Sequence, residues 1–388
     1  MPRVLVVTGA TASGKSELAL QVARANGGEI VSADSVQVYR DLNIGSAKPE
    51  EQALGEVPHH LISVLDITED FNAGLFRDKA LPVIDDIFNR ERLPIIVGGT
   101  GLYIKSLLQG LITAPAPSPE VRERIALQVE ELRQKSRDEA EFRHLFHGWL
   151  AELDPLAARS IRPNDFSRAQ RAVVVKLMTQ HSICDYFAAH GWESSSLEAL
   201  VIVICPAREA LYSAIEARVD RMISSGLVSE VENIITERQW KCLLISRGLD
   251  ILPRALGAIG YRHACRFIKG EISCEQLIAS LKRDTRRYAK HQLTWWRNEP
   301  AKLGWLDLSG EFSEACKLET PKQCVQYCQE FLQQELRGWL DKGYVGGRDR
   351  ATQEDGYARI RYLVVGCGCS CRPGRCSYGH SVAVAAVR

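Results

Sequence analysis

The segment Gly9–Ser16, Gly-Ala-Thr-Ala-Ser-Gly-Lys-Ser, constrains the fold more than any other part of this chain. Two glycines separated by four residues and followed by Lys and Ser have the spacing of a phosphate-binding P-loop. The apolar run Val4–Thr8 precedes the segment and a helical pattern follows it, which is the setting that this motif requires. Lys15 can reach phosphate oxygens and Ser16 can bind Mg²⁺. The motif predicts a site for a diphosphate or triphosphate; the alternative is a chance glycine-rich turn.

Three further apolar runs indicate strands that are buried on both faces of a parallel sheet. They are Ile30–Ala33, Pro94–Val97 and Leu200–Cys205. Helical patterns separate the runs, and strands that alternate with helices predict an α/β fold. We therefore expect a P-loop-containing parallel sheet core that is flanked by helices.

A stretch of different character interrupts this alternation. The segment Pro115–Pro119 predicts a stiff linker, and Glu120–Glu141 and Ala169–Met178 have helical patterns. We predict a helical insertion domain between two strands of the sheet. The predicted parts are residues 1–115, the first part of the core; 116–198, the insertion domain; 199–300, the second part of the core with basic helices; and 301–388, a C-terminal extension.

The composition excludes some classes of protein. A net charge of +1 predicts no global attraction to nucleic acid, so any RNA contact has to come from a local basic patch. No apolar run is long enough to cross a membrane, and the first strand begins too close to Met1 for a leader peptide. The 12 cysteines lack the dense spacing of a secreted disulfide scaffold. These features predict a cytoplasmic protein with no membrane partner.

A second motif, Ser32–Arg40, continues into Asn43–Pro49. Its Asp34 falls at the carboxyl end of the second predicted strand, the edge that faces the active-site crevice of an open α/β sheet. A carboxylate there can accept a proton from a substrate or hold a metal-bound water. A helix cap or a strand-end turn is an equal alternative for this motif taken alone, because Asp and Ser favour both.

A third motif, Gly98–Tyr103, follows the strand Pro94–Val97. Its glycines permit close approach of a ligand to the backbone, and Thr100 can donate to a phosphate oxygen or to Asp34, although a plain strand-to-helix turn is the alternative. No predicted strand ends in a clean Walker B acid, unless Leu61–Asp66 is one. Because all three motifs follow strands, we expect them to converge on one crevice.

Two basic segments follow later in the chain. Arg218 lies on a predicted helix and could clamp a diphosphate, although a solvated helix face is the alternative. The segment Lys282–Arg297 interleaves cations with aromatic residues, which suits phosphate contact and base stacking. An amphipathic helix with Tyr288 and one tryptophan packed inward explains the same pattern equally well.

Taken together, these motifs resemble the tRNA dimethylallyltransferase family, also called tRNA isopentenyltransferases. The resemblance follows the family's order over roughly the first three hundred residues. The matching segments are Gly9–Ser16, Ser32–Pro49, His59–Leu61, Gly98–Gly110, Pro163–Asp165, Arg218–Leu227, Ala258–Tyr261 and Tyr288–Arg297.

The resemblance implies transfer of a dimethylallyl group from dimethylallyl diphosphate to the exocyclic N6 amine of the adenosine beside the anticodon (position 37 of tRNA). It implies that Mg²⁺ is the cofactor, that the enzyme is a monomer, and that Asp34 is the general base with Thr100 as its catalytic partner. The residues that it implies for the diphosphate are Gly9, Thr11, Ala12, Ser13, Gly14, Lys15, Ser16 (also the metal ligand) and Arg218. Together with the basic segment, it implies tRNA binding by Ser35, Gln37, Gly98, Gly101, Arg286, Lys290, Gln292 and Trp295.

The chain departs from the family pattern in places. Ala10 replaces a common proline, Gln180 stands where glycine is expected, and the region after Trp305 is not family-like. The tail also holds a cluster whose residue types can bind Zn²⁺, although the pair spacing of a zinc finger is absent and a disordered tail is the alternative. The cluster is Cys367, Cys369, Cys371, Cys376 and His380.

Rival functions stay open. One is an isopentenyltransferase that modifies free adenine nucleotides, and another is a P-loop small-molecule kinase. A third is an RNA-binding module that has lost catalysis, against which the intact Lys15, Asp34 and Thr100 argue.

Overall fold

The structure is a computed structural model that describes residues 2–111, 116–190, 197–247, 252–302, 360–366 and 383–386. The chain divides into two compact units, Met1–Gln109 with Ser194–Arg388 and Gly110–Glu193. No helix of the described residues is both long and apolar enough to span a membrane. The Cys367–His380 cluster lies outside the described residues, so zinc binding stays a prediction.

The first unit is built on a sheet of seven strands in the order β3-β2-β4-β1-β5-β6-β7. The strands are β1 (Arg3–Gly9), β2 (Glu29–Ser32), β3 (His59–His60), β4 (Pro94–Gly98), β5 (Glu198–Cys205), β6 (Ile360–Gly366) and β7 (Ala383–Ala386). All neighbouring pairs are parallel except β6 with β7. The predicted parallel α/β core is therefore confirmed. Its four predicted strands are β1, β2, β4 and β5, whereas β3, β6 and β7 were not predicted.

Helices connect and flank the strands. They are α1 (Lys15–Asn26), α2 (Glu51–Glu56), α3 (Ala73–Asn89), α4 (Gly101–Gln109), α5 (Pro119–Lys135), α6 (Glu139–Leu153), α7 (Pro155–Ser160), α8 (Phe166–Thr179), α9 (Ile183–His190), α10 (Arg208–Ser224), α11 (Leu227–Glu237), α12 (Lys241–Arg247), α13 (Tyr261–Ile268) and α14 (Cys274–Lys302).

The sheet core explains why the strands read as uninterrupted apolar runs. Every residue from Val4 to Ala10 is buried, as are all five residues of β4. Leu18 and Val22 of α1 pack on this surface. Covering both faces of a parallel sheet removes the alternation of polar and apolar residues that a half-exposed strand would show.

The second unit is helical, with a core of its own around Phe142, Phe146 and Ala172. The stretch predicted as one helix, Glu120–Glu141, is two, because Asp138 begins a new helix by accepting a hydrogen bond from Glu141 N–H at 2.8 Å. Asp138 is therefore an N-cap residue, and it starts a new helix although the helical sequence pattern continues across this position.

The residue after α8 explains why glycine is expected at position 180. Gln180 ends the helix with a left-handed φ of 63°, and its N–H bonds the Lys176 carbonyl at 2.9 Å. A side chain in this conformation costs about 1 kcal/mol relative to glycine. We expect Gln180→Gly to raise the free energy of unfolding by about this amount, as measured by thermal denaturation. Gln134→Gly, within α5, should lower it by about 1 kcal/mol instead; equal signs for the two would contradict the argument.

Candidate active site

The P-loop joins the end of β1 to the first turn of α1. Ser13 N–H donates to the Ala10 carbonyl at 3.2 Å, and Gly14 precedes the helix with a left-handed φ of 91°. Lys15 Nζ donates to the same carbonyl at 3.2 Å, so the ammonium group is held over the loop. Ser13 is fully buried, and its hydroxyl has no hydrogen-bond partner among the described residues. A phosphate oxygen in the loop would satisfy such a group.

Asp34 follows β2, and its two carboxylate oxygens have different surroundings. Its Oδ1 atom accepts hydrogen bonds from the N–H groups of Val36, at 2.8 Å, and Gln37, at 3.2 Å. Asp34 therefore forms a strand-end turn, which was one of the alternatives that the sequence allowed. Among the described residues Oδ2 has no hydrogen-bond partner, and Asp34 lines a cavity. The turn fixes the carboxylate, and one oxygen stays available to a substrate.

The cavity has a volume of about 710 Å³ and lies at the carboxyl ends of β1, β2 and β4. It therefore brings together motifs that are far apart in sequence, as expected for this sheet edge. The predicted site residues that line it are Thr11, Lys15, Ser16, Asp34, Ser35, Gln37, Gly98, Arg218 and Gln292. The predicted residues outside its lining are Gly9, Ala12, Ser13, Gly14, Thr100, Gly101, Arg286, Lys290 and Trp295.

Lys15, Arg218 and Asp34 interact within this cavity, whose lining also includes Arg24, Lys48, Glu17 and Glu50. Burial lowers the pKa of Lys15 to about 8; nearby Arg218 acts in the same direction, and Asp34 opposes both. Burial also lowers the pKa of Arg218, and again Asp34 opposes the shift. The Arg218 guanidinium donates no hydrogen bond to any described residue. Two cations thus face one carboxylate in this part of the cavity, and an anionic ligand would relieve this imbalance.

Gln292, on α14, ties two of the loops together. Its Oε1 atom accepts from Thr11 N–H at 2.9 Å, and its Nε2 atom donates to the Gly99 carbonyl at 2.9 Å. The side chain is buried, and a Cβ atom added at Gly99 would overlap its amide. Both ends of the amide are therefore used inside the protein, and Gln292 sets the spacing between the P-loop and the glycine-rich turn.

Thr100 lies beside this bridge, next to Tyr288 of α14. Burial raises the pKa of Tyr288 to about 12, and Asp34 acts in the same direction. Thr100 and Gln292 lie within hydrogen-bonding reach of the Tyr288 hydroxyl and act the other way. Although the residue is 39% exposed, its hydroxyl therefore sits near the general-base candidate and Thr100 together.

The remaining predicted RNA contacts occupy varied positions. Trp295 lies directly over Gly101, where an added Cβ would overlap the indole ring, and its ring meets Trp296 edge-on. Arg286 pairs with Glu216 at 2.6 Å, whereas Lys290 is exposed. The amphipathic alternative for the basic segment is confirmed for Trp296, which is buried, whereas Tyr288 is 39% exposed. Contact of this segment with RNA stays a prediction.

The segment Leu61–Asp66 is not a Walker B strand. The strand β3 ends at His60, and Asp66 forms an ion pair with Arg238 at 2.6 Å. Asp66 does not line the cavity. Asp34 is thus the strand-end carboxylate of this site among the described residues.

Gly98, at the end of β4, allows the sheet edge to close. An added Cβ would overlap the backbone carbonyl of Ala33, which cannot move without shifting β2. We expect Gly98→Ala to lower the free energy of unfolding by about 2 kcal/mol or more, as measured by denaturant titration. Gly55→Ala is the matched control, because an added Cβ meets nothing within 4 Å there. That change, within α2, should stabilise by about 0.5–1 kcal/mol; a neutral Gly98→Ala would contradict the packing argument.

Comparison with known proteins identifies the family. The family model described as IPP transferase matches residues 37–299, more than half of the chain, and one described as isopentenyl transferase matches residues 2–68. The tRNA dimethylallyltransferase 1 of Pelobacter propionicus is 40% identical over 313 residues, covering 81% of this chain and 95% of the relative. The chain belongs to the tRNA dimethylallyltransferase family.

Other members of the tRNA dimethylallyltransferase family extend the comparison. The enzyme of Geobacter metallireducens is 40% identical over 80% of this chain and 94% of its own length. The solved tRNA delta(2)-isopentenylpyrophosphate transferase of Staphylococcus epidermidis has a TM-score of 0.53 and 31% identity, covering 86% of this chain and 100% of that one. A solved eukaryotic dimethylallyltransferase acting on tRNA has a TM-score of 0.64 over 100% of this chain and 92% of its own, and at 23% identity it supports the fold alone.

Sequence reasoning missed part of what holds the dimethylallyltransferase site together. Glu230, on α11, contacts the Asn43–Gly45 segment, and nothing in the local sequence distinguishes it from a surface glutamate. Tyr261 was noticed only as part of a family-like segment, yet it is fully buried against the same residues. Both are contacts over more than 180 positions, so no local pattern could have found them.

Proposed function

We propose that this protein transfers a dimethylallyl group from dimethylallyl diphosphate to N6 of the adenosine beside the anticodon of tRNA, at position 37. The products are N6-isopentenyladenosine and diphosphate. The observation that carries the proposal is the joint placement of Asp34, Lys15 and Arg218 around one cavity of a dimethylallyltransferase-family chain. This placement suits a reaction that needs a base for the acceptor and cations for the leaving group.

The leaving diphosphate would occupy the P-loop. As the C–O bond of the allylic diphosphate breaks, negative charge grows on the departing oxygen, and fixed cations stabilise that charge most. Lys15 stands over the loop and Arg218 faces the same cavity. The unpaired hydroxyl of Ser13 and the loop N–H groups supply neutral donors. The proposed diphosphate-binding set therefore stays that of the P-loop with Arg218.

Mg²⁺ fits this site as a partner of the substrate. The described residues contain no cluster of three metal-ligating side chains, so they form no closed metal cage. Mg²⁺ is usually held by one or two protein oxygens together with substrate phosphates and water. The exposed Ser16 hydroxyl, at the start of α1, would be such a ligand, and the ion would neutralise charge on the diphosphate.

Asp34 would act on the acceptor. The N6 atom forms its bond to the allylic carbon, and its surplus proton passes to Oδ2, the oxygen that the turn leaves available. Thr100 lies beside Tyr288, which interacts with the carboxylate, and would orient the groups around it. The adenine has to leave its stack to enter the cavity, as bases do in other enzymes that modify them.

The RNA would approach along α14 and the cavity wall. We propose direct contact by Ser35 and Gln37, which line the cavity, and by the exposed Lys290. Arg286 would contact phosphate from its ion pair with Glu216. The other predicted RNA-binding residues would act by shaping the backbone around the base: they are Gly98, Gly101, Gln292 and Trp295.

The decisive experiment compares two acceptors. Purified protein with Mg²⁺ and radiolabelled dimethylallyl diphosphate is offered unmodified tRNA or AMP, and we expect label in tRNA only. Label in AMP only would assign the protein to enzymes of free adenine nucleotides, and ATP turnover without transfer would indicate a P-loop kinase. The tRNA species is left for this assay to identify, and the cytoplasmic setting and monomeric state stay predictions.

A further inference from the structure

The segment Asn43–Pro49 contains no regular secondary structure, and its residues from Gly45 onward line the cavity. Its first N–H groups all meet the carboxylate of Glu230. Asn43 N–H donates to Oε2 at 3.1 Å, and Ile44 N–H donates to Oε2 at 2.9 Å and to Oε1 at 3.1 Å. Gly45 N–H completes the set with Oε1 at 3.4 Å. Three successive N–H groups around one anion form the concave arrangement known as a nest.

Tyr261 contacts both Glu230 and the Asn43–Pro49 segment. Its hydroxyl donates to Glu230 Oε1 at 2.8 Å and accepts from Ser46 N–H at 3.2 Å. The tyrosine is fully buried, and burial next to the carboxylate raises its pKa above the ordinary value. Gly45 lies against its ring so closely that an added Cβ would come within 2.6 Å of it. Because the pKa of Tyr261 is raised, its hydroxyl stays protonated at neutral pH and donates to the carboxylate.

The anchored segment in turn holds Gln37. The Gln37 Nε2 atom donates to the carbonyls of Ser46, at 3.3 Å, and Ala47, at 3.1 Å. Its Oε1 atom accepts from Ser32 Oγ at 3.0 Å, and its N–H donates to Asp34 Oδ1 at 3.2 Å. A continuous set of hydrogen bonds thus runs from Glu230 through the segment to the turn that fixes the general-base candidate.

We propose that Glu230 is a positioning residue for the acceptor side of the reaction. It holds the Asn43–Pro49 segment in the geometry that receives the adenine. Through Gln37, the segment in turn holds the turn that fixes Asp34. This inference rests on the proposed function. Neither Glu230 nor Tyr261 bonds the P-loop, Lys15 or Arg218 in the described residues, so the diphosphate side should not depend on it.

The test is Glu230→Gln, assayed by steady-state prenyl transfer with each substrate varied in turn. The glutamine keeps the shape but has one acceptor oxygen, and its NH₂ group opposes the backbone N–H donors. We expect kcat/KM for tRNA to fall about tenfold or more, because small displacements of positioned groups reduce rates by such factors. The Kd of inorganic diphosphate should stay within about twofold of the wild-type value, since the P-loop is not touched.

Matched variants separate positioning from folding. Glu232→Gln changes an exposed glutamate on the same helix and should leave both parameters unchanged. Glu230→Asp keeps the charge and should recover part of the activity that Glu230→Gln loses. Tyr261→Phe should shift kcat/KM for tRNA in the same direction, by less. All assays are run below the lowest thermal midpoint of the set, so that unfolding does not contribute.

The outcomes are distinct. A selective loss of kcat/KM for tRNA with partial recovery in Glu230→Asp supports the inference. Unchanged kinetics in Glu230→Gln would overturn it, as would a parallel loss of diphosphate affinity, which would mean a general structural role. A wild-type protein that binds diphosphate but transfers no prenyl group to tRNA would overturn the proposed function as well as this inference.

Discussion

Replacing Asp34 by Asn should lower prenyl transfer to tRNA by about 10²–10⁴-fold, the range by which a positioned general base accelerates a reaction. Asparagine has the same shape, and its side-chain oxygen can still accept the hydrogen bonds from Val36 and Gln37 N–H. The turn should therefore persist. What is lost is the oxygen that takes the N6 proton, because an amide is not a base at neutral pH.

Single-turnover transfer of labelled dimethylallyl to tRNA measures this effect, and filter binding measures RNA affinity in parallel. We expect RNA and diphosphate affinities to change by no more than a few fold. Asp85→Asn, an exposed position on α3, is the control and should be neutral. An Asp34→Asn protein that keeps a tenth or more of the wild-type rate would rule out this carboxylate as the base.

Replacing Lys15 by Met should lower prenyl transfer by about 10²–10³-fold, as the loss of one fixed charge-stabilising donor does in other active sites. Methionine has nearly the same length and is tolerated in buried positions, so the loop should keep its fold. The lost interaction is the one between the ammonium group and the departing diphosphate. Lys79→Met, exposed on α3, is the matched control.

The same lysine predicts how diphosphate binding depends on pH. Because the pKa of Lys15 is lowered to about 8, the ammonium group is present below that pH and is lost above it. The charged form favours binding of an anion, so loss of the Lys15 charge should raise the Kd of inorganic diphosphate above about pH 8. Isothermal titration between pH 6.5 and roughly 9.5 measures this.

Two comparisons isolate the Lys15 contribution. In Lys15→Met the rise above pH 8 should disappear, while titration of the ligand itself is common to both proteins. Lys48 also lines the cavity and has a pKa lowered to about 8 by burial, so Lys48→Met is measured beside it. If the pH dependence remained in Lys15→Met and disappeared in Lys48→Met, Lys48 rather than Lys15 would cause it, and the prediction would be wrong.

The parts of the site that could be predicted are those encoded by local sequence. The P-loop has a defined spacing, and β1 and α1 have defined periodicities, so local sequence sufficed to place Lys15 in a loop between a strand and a helix. Asp34 could be placed at a strand end because Ile30 and Val31 lie in a short, largely apolar run that ends just before it. The sequence could not distinguish a turn-forming role of Asp34 from a catalytic role. The carboxylate forms the turn with Oδ1, and its Oδ2 atom stays available to a substrate.

What the tertiary structure decided is how remote segments meet. Gln292 bridges Thr11 and Gly99, and Glu230 holds Asn43–Gly45, across separations of more than 180 positions. The strands β6 and β7 join the sheet from a region with no family-like pattern. A polar side chain has the same local sequence signature whether it is solvated or satisfied by a distant backbone group. The sequence alone thus determined the glycine-rich loop after β1 and the strand-end carboxylate, and only packing decided which polar residues hold them in place.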